Sequence, residues 1–322
     1  MECKNTNAAL VSIIMPTYNQ AEYINAAIDS VLAQSYPTFE LIVVDNYSID
    51  SASAIVHSYN DPRIKYLQFD NKGVIAAARN YGVSHSKGNI LSFLDSDDIW
   101  LPEMLRTQLD LLCDEFSLVS SSFEPIGNTS ICRHHLNYIG EKSVKQFSYE
   151  DIFYGNPIMT SSVTLYKSNF EDAGGFDESL EFRFIEDWEL WLRLSLHKNA
   201  LVNGAKLLQY RISYKAGRDL RDVKIRTLLI IKKHLELNYI SESKSKSVKG
   251  NCYVDIGKAH LDVNDRRGVK YYFKGLVLAS GAHHNCRAMA GLILFYSPTS
   301  LRKLLTKCFY SLNSKLYDVM HY

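Results

Sequence analysis

The sequence predicts an α/β fold, with a mostly parallel sheet and helices on both of its faces, followed by an all-helical C-terminal region. Four short apolar runs alternate with segments of helical periodicity in the first hundred residues, and the pattern after Arg211 is helical alone. Near-continuous apolar strands that alternate with helices are typical of parallel sheets covered on both faces. The 322 residues, 46% of them hydrophobic, suffice for one large domain or two of unequal size.

The alternating segments define the elements of the first part in chain order. The predicted strands are Val11–Met15, Leu41–Val44, Ile64–Phe69 and Ile90–Leu94. The helices predicted between them are Glu22–Gln34, Ala52–Tyr59 and Val74–His85. Apolar runs and helical spacing further along the chain predict strands at Leu118–Pro125 and Ser161–Lys167 and a helix at Glu186–Leu196.

The region after Arg211 is predicted to consist of helix pairs. The expected helices are Arg221–Leu237, Cys252–Val263, Arg267–Ala279, Cys286–Phe295 and Ser300–Leu312. Small residues such as Gly257 and Gly275 permit close packing like that of helical repeats. The lysine- and serine-rich stretch Ser241–Lys249 is the predicted linker or mobile loop. We therefore expect two domains, an α/β domain over residues 1–215 and a basic helical region over residues 216–322.

Charge is distributed unevenly along the chain although the formal net charge is only +1. Residues 1–197 contain 13 Lys and Arg against 27 Asp and Glu, or −14, whereas residues 198–322 contain 23 against 8, or +15. Such asymmetry makes an anionic membrane surface or a nucleic acid the candidate partner of the basic part. That part carries no recognised nucleic-acid motif, so we expect no nucleic acid as a partner.

Cysteine usage and hydropathy indicate the compartment. The six cysteines are scattered without a CxxC pair, which favours a reducing, cytoplasmic compartment over a disulfide framework. The N-terminus does not resemble a signal peptide, and the most apolar late stretch, Ala288–Tyr296, is too short to cross a bilayer. Any association with a membrane is therefore expected to be peripheral.

Polar residues follow each of the four predicted strands. The segments are Pro16-Thr17-Tyr18-Asn19, Asp45-Asn46, Asp70-Asn71 and Asp95-Ser96-Asp97-Asp98. In open parallel sheets the ligand lies beyond the carboxyl ends of the strands. Three successive strand ends that carry a carboxylate are more than turns usually require, so the sequence predicts a ligand site at this edge of the sheet.

The last of these segments has the chemistry of a cation site. Asp95 and Asp97 alternate after an apolar strand, so both carboxylates are expected to point the same way while Ser96 faces elsewhere. Mg²⁺ or Mn²⁺ prefers oxygen ligands and takes one or two carboxylates from a protein, with phosphate oxygens and water completing the shell. The alternative is that Asp97 or Asp98 caps a helix whose start Pro102 indicates. The motif alone leaves both possibilities open.

An ordered set of motifs resembles the family 2 inverting glycosyltransferases, which have the Rossmann-like GT-A fold. The matching segments are Val11–Asn19, Phe39–Asn46, Ala78–Gly82, Phe93–Asp98, Gly174–Asp177 and Glu186–Trp191. The resemblance covers approximately residues 10–215. It implies a nucleotide-diphosphate sugar as donor, a divalent cation, and inversion at the anomeric carbon.

The resemblance also implies roles for individual residues. The donor site would contain Pro16, Thr17, Tyr18, Asp45, Asn46, Arg79, Asp95 and Ser96, with Asp97 and Asp95 holding Mn²⁺ or Mg²⁺. Many relatives have two aspartates where this chain has Asp45-Asn46. An amide both donates and accepts hydrogen bonds whereas a carboxylate only accepts, so this departure weakens the expectation of a uracil base. The chain also lacks the glycine that the family often has before Ser48.

The catalytic residues implied by the resemblance lie at the start of a predicted helix. Asp187 would be the general base, and Glu186 would assist or position it, because an inverting transfer needs a carboxylate to take the proton from the acceptor hydroxyl. The alternative is that both acids only complement the helix dipole. Gly174, Gly175, Phe176 and Asp177 would form an acceptor loop, or else an ordinary turn. Trp188 and Trp191 are expected in the helix core, although aromatic residues such as Trp188 also suit an acceptor site.

The expected activity is transfer of a sugar to a glycan acceptor. We expect the acceptor to grow on a lipid carrier in bacterial surface-polysaccharide biosynthesis, with the basic region resting on the inner face of the cell membrane. The alternatives are a soluble or protein acceptor, or a non-catalytic nucleotide-sugar-binding module, and the presence of Asp95, Asp97 and Asp187 argues against the last.

Overall fold

The computed structural model describes residues 9–127, 143–212, 220–262, 265–278, 289 and 291–293. The chain divides into two compact units, Met1–Gly217 and Arg218–Tyr322. Among the described residues, no helix is both long enough and apolar enough to cross a bilayer. The first unit is an α/β structure and the second is helical.

The first unit contains nine described strands and seven helices. The strands are β1 (Val11–Thr17), β2 (Phe39–Asp45), β3 (Ile64–Gln68), β4 (Ile90–Phe93), β5 (Ile99–Trp100), β6 (Val119–Gly127), β7 (Val144–Phe147), β8 (Thr164–Tyr166) and β9 (Ala200–Ile212). The helices are α1 (Ile24–Leu32), α2 (Ala52–Ser58), α3 (Ile75–Ser84), α4 (Met104–Leu111), α5 (Tyr149–Tyr154), α6 (Lys167–Asp172) and α7 (Glu186–Leu194).

The strands form one mixed sheet in the order β3-β2-β1-β4-β8-β6-β9-β5, and β7 pairs with β9. The first four strands are parallel, as are β6 and β9, whereas β8, β5 and β7 run antiparallel to their neighbours. The predicted sheet with covering helices is confirmed. The strands β5, β7 and β9 were not predicted. The first has only two residues, and β7 is a partly exposed edge strand without an apolar run.

The parallel register brings the carboxyl ends of the strands together. Thr17 at the end of β1 pairs with Asp45 at the end of β2. On the other side of β1, Ile14 pairs with Phe93, and the backbone N–H of Leu94 donates to the Ile14 carbonyl at 3.1 Å. The loops that follow β1, β2 and β4 therefore meet at one edge of the sheet, as expected for parallel strands.

The core of the first unit lies between the sheet and its helices. On α1 the buried side chains Ile24, Ala27, Ile28 and Val31 recur at helical spacing and pack with the buried strand residues of β1 and β2. Burying one large aliphatic side chain stabilises a fold by about 1.5–3 kcal/mol, so this layer holds the strand ends firmly in position.

The second unit contains α8 (Leu220–Glu236), α9 (Glu242–Asp262) and α10 (Gly268–Leu278), which confirms a helical C-terminal region. A Cβ atom at Gly275 would lie 2.6 Å from the Val254 side chain, so this glycine permits the close packing of α9 and α10. Of the two remaining predicted helices, Ser300–Leu312 lies outside the described residues, and so does most of Cys286–Phe295.

The prediction of a linker at Ser241–Lys249 was wrong, because most of this stretch forms the first turns of α9. The Ser241 carbonyl accepts from the backbone N–H of Ser245 at 2.9 Å, and the Ser241 hydroxyl accepts from that of Lys244 at 3.3 Å. Serine is a favoured N-cap and lysine is a good helix former. Ser245 and Val248 are buried, so tertiary packing fixes a segment that composition alone assigned to a loop.

Candidate active site

The turn after β4 carries the three aspartates of the predicted cation motif, and they lie in different environments. Asp98 is fully buried, and its carboxylate accepts from the Ser161 hydroxyl at 2.5 Å and from the backbone N–H of Arg211 at 2.7 Å. Burial raises the pKa of Asp98 well above its ordinary value, and the nearby charges of Asp97 and Asp95 raise it further. Asp98 is therefore a structural part of the turn.

Asp95 and Asp97 remain accessible on the same turn. The Asp95 side chain is 28% exposed, and Asp97 is half-buried, whereas Ser96 between them is buried. The Arg211 guanidinium donates to the Asp97 carbonyl oxygen at 2.8 Å and so fixes the backbone of the turn. The alternative role as a helix cap is not observed, because α4 begins at Met104 and no side chain caps it.

The donor set of this turn fits a cation that is only partly coordinated by protein. Among the described residues, no group of three or more His, Cys, Asp or Glu side chains is arranged to hold a metal ion. A Mg²⁺ or Mn²⁺ ion that shares its shell with phosphate oxygens and water requires only one or two carboxylates. Asp97, with Asp95 beside it, supplies that number.

Arg79 connects the turn after β4 to the start of α7. Its side chain is 3% exposed, and it donates from Nη2 to Asp95 Oδ1 at 2.7 Å and from Nη1 to Glu186 Oε1 at 3.0 Å. Burial lowers the pKa of Arg79, but the charges of Asp95 and Glu186 outweigh it, so the pKa is raised. The sequence predicted that Arg79 approaches the ribose or the diphosphate. Little of the Arg79 surface is open for such a contact, because the guanidinium is buried as a bridge between two carboxylates.

The two acids at the start of α7 differ in burial and partners. The Glu186 side chain is 8% exposed, and its Oε2 has no hydrogen-bond partner while Oε1 accepts from Arg79. Burial raises the pKa of Glu186, Arg79 lowers it, and Asp187 raises it. Asp187 is half-buried, and it accepts from the Thr160 hydroxyl at 2.8 Å and from the backbone N–H of Trp188 at 2.7 Å. Both of its oxygens are thus held in place in the first turn of α7.

The chain enters α7 through a strained residue. Phe184 has a φ of 75°, in the left-handed region that bulky side chains rarely adopt. Such a conformation costs about 1–3 kcal/mol and persists only where the surrounding structure enforces it. The strain lies two residues before Glu186, so the approach to the two acids is fixed by the fold rather than by local preference.

The loops after β1 and β2 are tied to each other. The backbone N–H of Asn19 donates to the Ser48 hydroxyl, and the backbone N–H of Ile49 donates to Asn19 Oδ1, both at 2.9 Å. Asp45 is fully buried, and it accepts from the Ser48 backbone and hydroxyl and from the Tyr66 hydroxyl at 2.6 Å. Asp45 therefore shapes the loop.

Tyr47 occupies the position where the family often has a glycine. Its φ of 53° lies in the left-handed region, which glycine adopts without strain. The loop thus keeps the path that a glycine would allow, and the aromatic ring of Tyr47 stands exposed at its tip. Tyr18, after β1, is also exposed, whereas Pro16 and Thr17 are buried at the strand end.

The predicted acceptor loop is anchored to the core. Gly174 and Gly175 both have positive φ, of 81° and 70°, so they require the freedom of glycine. Phe176 is buried against Phe93 and Trp191, and Asn80 on α3 binds its backbone N–H and carbonyl at 3.0 and 2.9 Å. Phe176 is thus a core residue.

Two side chains of α7 connect this helix to neighbouring segments. Arg193 pairs with the buried Glu189 and donates to the Gly175 carbonyl at 2.7 Å. The Trp188 indole donates to the Ile152 carbonyl at 2.7 Å, so it connects α7 with α5. Trp191 is fully buried, which confirms its prediction as a core residue, while Trp188 is only half-buried. Asp177 accepts from the Ser179 backbone and hydroxyl and begins the next turn.

Three supporting residues were not identified from the sequence. Thr160 and Ser161 hold Asp187 and Asp98, and Arg211 holds the turn between Asp97 and Asp98. Ser161 was predicted to start a strand, but Thr160–Ser162 form a short 3₁₀ turn and β8 begins only at Thr164. Arg211 is a basic residue near the end of a long strand, which alone is too weak a signal.

Comparisons with known proteins identify the family. The model of Glycosyl transferase family 2 matches residues 12–171. An uncharacterized glycosyltransferase of Rickettsia typhi is 31% identical over 223 residues, which is 65% of this chain and 66% of that protein. The UDP-Glc:alpha-D-GlcNAc-diphosphoundecaprenol beta-1,3-glucosyltransferase WfgD of Escherichia coli is 32% identical over 207 residues, which is 63% of this chain and 78% of WfgD.

Solved structures share the fold. The crystal structure of S. aureus TarS 1–349 in complex with UDP-GlcNAc is similar with a TM-score of 0.62 at 17% identity, over 88% of this chain and 90% of that one. The mannosyltransferase PcManGT from Pyrobaculum calidifontis, in complex with GDP-Man and Mn²⁺, has a TM-score of 0.62 at 16% identity, over 99% and 90%. The fold is GT-A, the chain is a glycosyltransferase, and it belongs to glycosyl transferase family 2.

Proposed function

We propose that this glycosyltransferase moves a sugar, with inversion, from a nucleotide-diphosphate donor to a hydroxyl of a lipid-linked glycan in bacterial surface-polysaccharide biosynthesis. The observation that carries the proposal is the bridge of Arg79 between Asp95 and Glu186. This bridge sets the distance between the donor edge of the sheet and the first turn of α7, where Asp187 lies. A transfer reaction needs its donor and its base held in such a fixed relationship.

The donor is proposed to lie along the loops after β1, β2 and β4. Thr17, Tyr18 and Asn46 would contact the nucleoside, and Asp95 and Asp97 would face the diphosphate end. The UDP-GlcNAc and GDP-Man complexes of TarS and PcManGT support a nucleotide-sugar donor, and the Mn²⁺ in the latter supports a divalent cation. When bound at Asp97, Mn²⁺ or Mg²⁺ neutralises the charge that develops on the leaving diphosphate.

Asp187 is proposed as the general base. Its carboxylate would take the proton of the acceptor hydroxyl while that oxygen forms a bond to the anomeric carbon and the bond from this carbon to the diphosphate oxygen breaks. Thr160 and the backbone of Trp188 hold the carboxylate in one orientation. Its position in the first turn of α7 favours a negative charge, because the helix dipole is positive there.

Glu186 is proposed to position the site rather than to accept the proton. Its Oε1 is engaged by Arg79, and its side chain is almost completely buried. A base must come within hydrogen-bond reach of the acceptor hydroxyl, which the half-buried Asp187 can do more readily. Glu186 would instead hold the start of α7 in a fixed position against Arg79.

A lipid-linked acceptor is supported by two observations. WfgD acts, by its name, on a diphosphoundecaprenol-linked sugar, and TuaG of Bacillus subtilis, 38% identical over 107 residues, is described as a putative teichuronic acid biosynthesis glycosyltransferase. The charge of +15 over residues 198–322 favours an anionic membrane surface as partner. We place the protein at the cytoplasmic, inner face of the cell membrane, and a soluble or protein acceptor is the alternative.

The outer face of α10 is proposed as part of the membrane contact. Lys270 and Lys274 are exposed one turn apart, and they flank Phe273, which is 53% exposed, and Val277, which is 83% exposed. A helix face that combines lysines with exposed apolar side chains is typical of binding at the surface of an anionic bilayer. Each such charge near the surface contributes about 1 kcal/mol.

The donor part of the proposal is tested by a panel of nucleotide sugars in the presence of Mn²⁺ or Mg²⁺. We expect at least one of them to raise the melting temperature and to be hydrolysed slowly or transferred to a lipid-linked acceptor. Absence of both effects for every donor tested would contradict the proposal.

A further inference from the structure

Arg183 is an exposed cation that precedes the proposed base, Asp187, by four residues. Among the residues that the structure describes, its guanidinium forms no ion pair or hydrogen bond, and it lies over the Phe184 ring at 4.8 Å from the ring centroid. A guanidinium that is attracted to a ring face keeps N–H groups available for an oxygen ligand. The side chain is therefore held in place without being neutralised.

Arg183 and Phe184 form the tip of a tight turn that leads directly into α7. The backbone N–H of Ile185 donates to the Phe182 carbonyl at 2.9 Å. The φ and ψ of Arg183, −50° and 129°, and the φ of 75° at Phe184 match a type II turn, in which the second of these two positions favours glycine. Phenylalanine stands there although glycine would fit with less strain, and its ring is what holds the guanidinium.

The acids of the same stretch have partners of their own, so they leave Arg183 without a countercharge. Glu178 accepts from Asn80, Glu186 from Arg79, Asp187 from Thr160 and Glu189 from Arg193. Arginine forms charge-assisted, often bidentate hydrogen bonds with phosphate oxygens. An anionic group of a substrate would therefore supply the charge that Arg183 lacks.

Of the two substrates, the acceptor suits this position better than the donor. The diphosphate of the donor is proposed to lie at the turn after β4, where Asp97 and a cation face it. Arg183 instead lies beside the first turn of α7, where the acceptor hydroxyl must meet Asp187. Four residues span at most about 14 Å, a distance that an arginine side chain, a phosphate and one sugar residue together can cover.

We propose that Arg183 binds the diphosphate of the lipid-linked acceptor and thereby selects acceptors in which this diphosphate is attached to the sugar that carries the attacking hydroxyl. The inference rests on the proposed function. In a longer glycan the diphosphate lies farther from the attacking hydroxyl than Arg183 reaches from its place beside Asp187. The enzyme therefore acts early in assembly, on a lipid diphosphate that carries a single sugar.

The test compares charged and neutral acceptors. The charged ones are short-chain alkyl diphosphates that each carry one sugar, used as a panel of sugars, and the neutral ones are alkyl glycosides of the same sugars. Arg183→Gln removes the charge and keeps a polar side chain. Lys87→Gln is the matched control, because Lys87 is also exposed but precedes β4 and so lies at the end of this strand away from the site.

We expect Arg183→Gln to raise the KM of the diphosphate acceptor by about tenfold or more, because a charge-assisted hydrogen bond is lost. The kcat at saturating acceptor should stay within about threefold, since the guanidinium does not take part in the proton transfer. Neutral glycosides should have the same high KM with the wild type and with Arg183→Gln. Lys87→Gln should leave both constants unchanged for both kinds of acceptor.

The turn supplies a second variant, Phe184→Gly. Glycine adopts the φ of 75° without strain, so the path of the turn is kept while the ring is removed. We expect the KM of the diphosphate acceptor to rise here as well, but by less than in Arg183→Gln, because the charge remains and only its support is lost. An unchanged KM would overturn the role of the ring.

The outcomes separate this inference from the proposed function. An unchanged KM of the diphosphate acceptor in Arg183→Gln, or an equal rise for neutral glycosides, overturns the assignment of Arg183 and leaves the proposed function intact. A matching fall in donor affinity, measured by calorimetry, would assign the guanidinium to the donor and overturn it as well. Transfer to longer lipid-linked glycans but to none of the single-sugar diphosphates overturns the selection. If the wild type uses no lipid-linked acceptor, the lipid-linked part of the proposed function fails too.

Discussion

Arg79 and Glu186 form a buried ion pair, with 3.0 Å between Nη1 and Oε1, although 107 residues separate them in the chain. The same guanidinium binds Asp95, so one side chain joins α3, the turn after β4 and the start of α7. The positions of the candidate donor site and the candidate base therefore depend on a single buried cation.

Removing that cation is expected to destabilise the fold strongly. Arg79→Met leaves the buried Glu186 without its charge partner, and breaking a buried pair in this way costs about 3–5 kcal/mol. The double variant Arg79→Met/Glu186→Gln should recover part of the loss. Denaturant unfolding of the wild type, the single variant and the double variant measures the three free energies of unfolding.

The control for this prediction is Lys72→Gln, which breaks the exposed pair of Lys72 with Asp70. An exposed pair contributes little, so we expect no measurable change in the free energy of unfolding. A similar small effect for Arg79→Met would show that the bridge is not a structural element.

Glu186 is expected to make stability depend on pH. Burial raises its pKa in the folded protein, so over a range above the ordinary glutamate pKa the folded state holds a proton that the unfolded chain has released. The free energy of unfolding of the wild type should therefore fall, relative to Glu186→Gln, as pH rises through that range.

The measurement is denaturant unfolding of both proteins at intervals between about pH 4 and pH 8, a range that begins near the ordinary glutamate pKa and extends above it. A constant difference between the two curves would mean that Glu186 titrates alike in the folded and unfolded states. It would contradict the effect that we assign to burial.

Asp97 is expected to be required for the effect of a divalent cation. Asp97→Ala should nearly abolish transfer, and chelation should do the same to the wild type, because one carboxylate of the proposed cation site is lost. Calorimetric titration of Mn²⁺ in the presence of the nucleotide measures the loss of binding directly. Asp172→Ala, at an exposed acid at the end of α6, is the control. Full activity of Asp97→Ala, or of the wild type in excess chelator, would contradict the cation site.

The basic helical region, residues 216–322, is expected to bind vesicles that contain acidic lipid and to dissociate as salt increases. Lys270→Glu/Lys274→Glu should weaken this binding, because both lysines lie on the exposed face of α10. Lys72→Glu/Lys87→Glu makes the same change of net charge in the α/β unit and serves as control. Sedimentation with neutral and acidic vesicles measures the effect.

Two results would count against the membrane contact. If the wild type binds neither neutral nor acidic vesicles at low salt, a soluble acceptor is favoured. Equal weakening by both double variants would indicate a response to total charge rather than to the α10 face. Binding to acidic vesicles that persists at high salt would instead indicate insertion of Phe273 and Val277.

The sequence was sufficient to predict the four parallel strands β1 to β4, because the strands that end at Thr17 and Asp45 are near-continuous apolar runs between helical segments. The strands β5 and β7 were not predicted, since a two-residue strand and an exposed edge have no distinct period, and the long strand β9 was not predicted either. The first turns of α9 were assigned to a loop because composition outweighed the capping role of Ser241 and the burial of Val248.

The candidate site was predictable only in part. The acids at Asp95, Asp97 and Asp187 were identified from motifs, but their partners were not. Thr160 and Arg211 belong to segments without any motif, and only the tertiary structure brings them to these acids. The hydrogen bonds that the Asp45 carboxylate accepts could likewise not be predicted from the sequence, because one of them comes from the Tyr66 hydroxyl on a neighbouring strand.

Asp187 is the proposed base that takes the proton of the acceptor. Asp187→Asn keeps the shape of the side chain and the oxygen that accepts from the backbone of Trp188, but it removes the base. A general base typically contributes about 10²–10⁴-fold to the rate, so a loss of that size is expected in kcat. Donor affinity should remain within about threefold, because in the proposed arrangement Asp187 faces the acceptor and not the nucleotide.

The most direct measurement is single-turnover transfer by Asp187→Asn at saturating donor, with the affinity for the donor nucleotide determined by calorimetry on the same preparation. We expect a rate at least about a hundredfold below that of the wild type and an affinity close to the wild-type value. A loss of less than about tenfold in the rate, or a fall in donor affinity that matches the fall in rate, would contradict the assignment of Asp187 as the general base.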